Sequence, residues 1–173
     1  MNRRWFAVLL GVLMAVAAWG DGENSPCAKL LPSAELKGWK EVQGSFLYGK
    51  GEGLTSIYNG GYQFYLKNGV QEAAQRLYQR NDLYATITTH TMKDTASARR
   101  FVEHWRSTLR KQKPQAIKMT GTGFWVQADG ATTFYWASGR FFVTVMVTRD
   151  DRSAVDEGLA VLRAVVQRAS RVK

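Results

Sequence analysis

The chain has 173 residues, with 24 Lys or Arg against 14 Asp or Glu and a formal net charge of +10. That length suits one domain with an adequate core. Its one cysteine cannot form an internal disulfide, and no Cys/His cluster has metal-ligand spacing, so neither a disulfide framework nor a structural zinc is expected, and no cofactor signature is present.

The chain begins Met-Asn-Arg-Arg and runs from Trp5 to Trp19 without a charged residue. A basic start, a short apolar run and small residues are the pattern of a secretory signal, and the run falls short of the roughly 20 residues of a membrane-spanning helix. Cleavage is expected after Gly20, with Ala18 as the other small residue of the site; a retained signal-anchor is the alternative. Cys27 lacks the Leu-Ala-Gly-Cys setting of a lipoprotein. Loss of residues 1–20 removes Arg3 and Arg4 and no acid, taking the charge from +10 to +8. On an exported protein such an excess suggests anionic partners: anionic lipid, a cell-wall polymer or an acidic protein. The plainer reading is a surface charged for solubility. The basic residues form no Lys/Arg run, which disfavours nucleic acid.

Residues 21–35, with Pro26 and Pro32, read as a flexible lead-in to a domain spanning 36–173. Leu36–Tyr48 reads as one irregular strand, and Gly49–Gly53 as a loop. Leu54, Ile57, Tyr58, Gly61, Tyr62 and Tyr65 recur at helical spacing, so the segment 54–67 is predicted helical, although Asn59-Gly60 is also a hairpin-turn signal. Glycines inside a helix cost about 1 kcal/mol each, which suggests close packing, or a ligand, against bare backbone at Gly60-Gly61. Asn68-Gly69 suits its C-terminal cap. Residues 70–79 lean to an edge strand. Leu83–Met92 is a clear strand, rich in β-branched and aromatic residues.

A helix over 96–113 buries Ala98, Phe101, Val102, Trp105 and Leu109. Runs at 117–121, 123–128, 131–137 and 140–148 read as strands, with Asp129-Gly130 and Ser138-Gly139 as turns. A last helix, 153–169, carries a stripe of Val155, Leu159, Leu162 and Val166. The fold class is therefore α+β: a single, mainly antiparallel sheet of about five or six strands with a C-terminal three-strand meander, packed by the three helices.

The pattern Leu54-x-x-Ile57-Tyr58-Asn59-Gly60-Gly61, followed by Tyr65 and Gly69, resembles a family of exported bacterial domains of unknown function. The likeness spans roughly residues 36–148, and Tyr62 stands where small residues are usual. The strand–helix order also resembles the PsbP/Mog1-like fold. Neither resemblance implies an activity.

The candidate ligand or packing site is Asn59, Gly60, Gly61, Tyr62 and Tyr65. A candidate basic surface is Arg99, Arg100, Arg106 and Arg110. Trp125, Tyr135, Trp136, Phe141 and Phe142 form a candidate stacking platform for sugars or bases, with core packing the plainer role. His90 and His104 have no converging partner in the sequence and read as ordinary histidines. Asp150-Asp151 reads as helix-terminal acids rather than a catalytic pair. No nucleophile motif occurs. An exported, periplasmic or secreted, non-catalytic binding or accessory domain is the expectation; an envelope enzyme with an unrecognised site is the alternative.

Overall fold

A computed structural model describes residues 22–33 and 36–172. The expected signal, 1–20, lies outside them. The strands are β1 (Lys40–Glu41), β2 (Leu47–Lys50), β3 (Val70–Arg80), β4 (Leu83–Met92), β5 (Gln115–Ala116), β6 (Thr122–Ala128), β7 (Ala131–Ser138) and β8 (Phe141–Val147). The helices are α1 (Thr55–Tyr58), α2 (Tyr62–Lys67), α3 (Thr95–Thr108) and α4 (Arg152–Ala169). All pairings are antiparallel, in the order β1-β3-β4-β8-β7-β6-β5 with β2 also on β3, so the chain is one α+β domain around an 8-stranded sheet.

The meander β6-β7-β8 forms as expected, and its first turn explains itself. Asp129 and Gly130 both have positive φ, 53° and 75°, the geometry of the type I′ hairpin. Both long helices are capped by a preceding acid. Asp94 accepts from the Ser97 amide at 2.6 Å, and Asp151 from the Ala154 amide at 2.9 Å.

Successive strand residues face opposite ways, so the sheet has two independent cores. One face carries Tyr78, Ile87, Phe134, Trp136, Val143 and Val145 beneath α4. The other carries Ala73, Met92, Phe124 and Phe142 beneath α2 and α3.

Several expectations are corrected. Residues 22–33 are not a flexible lead-in: Cys27, Leu30 and Leu31 are buried in the α4-side core. They are tied there by distant partners, the Tyr78 hydroxyl donating to Pro32 O at 2.7 Å and the Thr89 hydroxyl to Cys27 O at 2.8 Å. The segment 36–48 gives two short strands rather than one. Residues 70–79 form no edge, because β3 has β4 on one side and β1 and β2 on the other. An irregularity between Val70 and Glu72 breaks its alternation. It turns Glu72 inward, where Tyr48 and Thr91 hydroxyls satisfy the carboxylate at 2.9 and 2.7 Å. The run 117–121 forms no strand; Gln115–Ala116 pairs with β6 instead. The long helix stops at Thr108 and continues as a single 3-10 turn, Arg110–Gln112.

The predicted helix 54–67 is two short helices broken at Asn59-Gly60, where φ is 33° and 96°. The glycine requirement there is conformational, not close packing. Nothing lies within 4 Å of a Cβ built on Gly60, and Gly61 meets only the Tyr58 carbonyl at 3.5 Å. The truly crowded helical glycine is Gly158 in α4, where a Cβ would overlap the buried Phe134 ring. Among the described residues no helix is long and apolar enough to cross a membrane.

Two stability outcomes follow from these glycines. Gly158→Ala should destabilise by about 1–3 kcal/mol, because overpacking against a buried ring outweighs the helix-propensity gain. Gly60→Ala should cost about 1 kcal/mol or more through its left-handed backbone, while Gly61→Ala stays within about 0.5 kcal/mol. Thermal melts of the three variants check this ordering; an unchanged melting temperature for Gly158→Ala refutes the first.

Candidate functional site

The register across β3, β4, β8 and β7 arranges the α2/α3-side face in rows. Ala73, His90, Phe142 and Ala137 stand opposite one another in the first, and Gln75, Thr88, Thr144 and Tyr135 in the second. The third is Leu77, Thr86, Met146 and Thr133. Directly paired residues project to the same side, so these rows form one continuous surface.

The first row is sealed. Phe101 of α3 packs on Phe142 with ring centroids 4.8 Å apart, and Tyr65 of α2 lies parallel to His90 at 6.1 Å. Gln75, Thr88 and Thr144 of the second row and Thr86, Met146 and Thr133 of the third form the floor of a trough of about 260 Å³. One wall is Tyr58 and Tyr65, stacked at 3.5 Å; the other is Trp105 and Tyr135, stacked at 5.6 Å. Beyond this, Tyr84 and Met146 are 38% exposed, so helical cover ends there.

His90 anchors the closed end. It is buried, and its Nδ1 lies 2.9 Å from Phe142 O. A carbonyl only accepts, so Nδ1 carries the proton and Nε2 is the acceptor, receiving the Tyr58 hydroxyl. The Tyr58–His90–Phe142 chain thus fixes α1 to the sheet. Burial pulls the His90 pKa from 6.5 down to about 4, partly opposed by the bond to Phe142 O. Burial raises the Tyr58 and Tyr65 phenols as well, and it pushes the Tyr135 phenol up to about 12. Among the described residues no Asp, Glu, Lys or Arg lines the trough, so its lining carries no formal charge. Gln75 donates to the Thr88 hydroxyl at 2.8 Å, holding one floor group in place. The Trp105 indole N–H is buried and has no acceptor among the described residues. Leaving such a donor unpaired costs about 1–3 kcal/mol, which a ligand acceptor would recover.

Of the sequence candidates, Tyr65 is in the trough. Asn59, Gly60 and Gly61 are exposed in the turn between α1 and α2, and half-buried Tyr62 opens α2 outside the trough lining. Sequence reasoning missed Tyr58 and His90 as partners. Their signal was the polar second face of β4, with Thr86, Thr88 and His90 alternating, beside Thr144 on β8. The aromatic platform does not exist as a unit. Trp125, Trp136 and Phe141 belong to the α4-side core, while Phe142, buried on the other face, and Tyr135 line the trough.

The basic surface is reduced too. Arg99, Arg100 and Arg110 are exposed, but Arg106 lies over Phe124 at 5.1 Å, pairs with Glu103 and donates to Gly123 O. Asp151 is a helix cap, as expected of that acidic pair. Cys27 is a free thiol, buried against Ser25, and burial pushes it up to about 12. Among the described residues no three His, Cys, Asp or Glu side chains converge as a metal site.

No family model matches the chain, and no curated protein matches it. Among solved structures it is similar to the extracellular domain of PknH from Mycobacterium tuberculosis, at 11% identity and a TM-score of 0.49, with 81% of this chain and 94% of that chain covered.

A depressed histidine pKa makes the unfolded chain bind protons first, so stability should fall as pH drops from about 6.5 to about 4 and then level off for this group. Urea unfolding across that window should show the slope in the native chain, and His90→Gln should flatten it. Equal slopes in both proteins would rule His90 out as the source.

Proposed function

We propose that the chain is an exported, non-catalytic binding domain whose trough holds a neutral saccharide. Export rests on the signal pattern of residues 1–20. The trough's neutrality is the observation that carries the ligand class: paired aromatic walls over a floor of threonine hydroxyls, without a formal charge. Sugars present apolar faces to aromatic rings and hydroxyls to such a floor, and an acetamido oxygen is a fitting acceptor for the idle Trp105 N–H. A charged ligand would have to shed water with no opposite charge to receive it.

An envelope enzyme built on Tyr58 and His90 is the competing reading. It is disfavoured because burial makes Tyr58 a poorer acid and His90 a weaker base, while both imidazole nitrogens are already engaged.

Titration with N-acetylglucosamine oligomers, followed by tryptophan fluorescence, tests the proposal. Binding should be insensitive to salt. Tyr65→Ala should weaken it roughly threefold to tenfold, the worth of one stacked ring. Trp105→Phe should weaken it as well. Lack of binding across neutral oligosaccharides, or affinity untouched by both substitutions, would sink this reading.

A further inference from the structure

A second cavity lies on the other side of the sheet, where the C-terminal half of α4 passes the β7–β8 turn. It measures about 580 Å³, within the roughly 300–1,000 Å³ of small-molecule sites. Trp136, Phe141 and Val166 give it an apolar interior. Trp136 offers only its ring, because its indole N–H already donates to Thr120 O at 2.8 Å.

Two arginines line this cleft, Arg140 from the turn and Arg163 from α4, and no acid does among the described residues. Several arginines elsewhere are committed, Arg76 to Glu23 and Glu41, Arg80 to Glu157, Arg149 to Asp82 and Asp151, whereas Arg99, Arg100 and Arg110 are solvated without an apolar pit beside them. Neither Arg140 nor Arg163 belongs to an ion pair among the described residues. The helix dipole does not account for them, since it acts within the last turn, whereas Arg163 precedes that turn and Arg140 is off the helix. Two uncommitted cations above an apolar pit match one ligand chemistry: an anionic head on a hydrocarbon chain.

We propose that this cleft binds a single-chain anionic amphiphile, its carboxylate or phosphate held by Arg140 and Arg163 and its chain against Trp136, Phe141 and Val166. The site is separate from the neutral trough and stands whether or not a saccharide binds there. Guanidinium pairs both head groups well, through two parallel N–H donors.

Calorimetric titration of the full chain with dodecanoate and with dodecyl phosphate, below their micellar concentrations, tests the site and distinguishes the two head groups. At least one should bind, and an uncharged polyoxyethylene ether of the same chain should bind roughly tenfold more weakly or worse. Arg140→Ala and Arg163→Ala should each cost roughly tenfold, the size of one charge-assisted hydrogen bond. Trp105→Phe, on the opposite face, should leave this affinity unchanged. The proposal falls if neither anion binds, if the uncharged ether binds equally, or if the double arginine variant binds as the native chain does. It falls equally if butyrate or inorganic phosphate binds as tightly as the long-chain anions, since the apolar interior would then contribute nothing.

Discussion

Helices are about 10 Å across, whereas neighbouring strands repeat about every 4.8 Å, so one helix roofs only about two strands. Much of this molecule follows from that mismatch. On one face α4 shares the cover with residues 22–33. On the other, α3 lies mainly over β7 and β8, leaving β3 and β4 to two helices of only 4 and 6 residues. The covers meet only over the first row, where Phe64 and Tyr65 of α2 pack on Phe101 of α3, and part beyond it. Where they part, the sheet residues change from Phe and Ala to Thr and Gln, and the trough is that gap.

Such short helices have little stability of their own and depend on tertiary contacts. The Tyr58–His90 bond, the Tyr58–Tyr65 stack and Leu54, fully buried, supply them. Asn59 and Gly60 turn the chain so that Tyr58 and Tyr65 lie ring on ring. The signature residues therefore serve the trough indirectly, as the bend that brings two phenols together. A neutral histidine suits this post, since a charged one would need a counterion in an apolar corner.

What could be read from the sequence was local. Asp129-Gly130 and the alternation of Phe141 to Val147 marked the meander, and the apolar stripes of 96–113 and 153–169 marked two helices. What could not be read depended on distant partners. Ala73-Ala74 is weak strand sequence, and it is held as an inner strand by neighbours on both sides. Pro26 and Pro32 suggested mobility because the groups that hold their segment, Tyr78 and Thr89, lie far along the chain. Tyr65 was found through its motif, but Tyr58 and His90 become partners only when the sheet forms. Even so, the half-polar second face of β4 was visible, and its pairing with β8 turned it into a floor.

The docking of residues 22–33 beside α4 also fixes on which side of the sheet the described ends lie. Cys27 and Leu30 share one core with Val161, Leu162 and Val165, so the described chain enters and leaves on the same side of the sheet. The trough opens on the opposite side. Anything joined ahead of residue 22 or beyond residue 172 is thus attached behind the face that carries the trough. The domain can be tethered from either end and still present the trough outward, while the arginine-lined cleft stays on the tethered side.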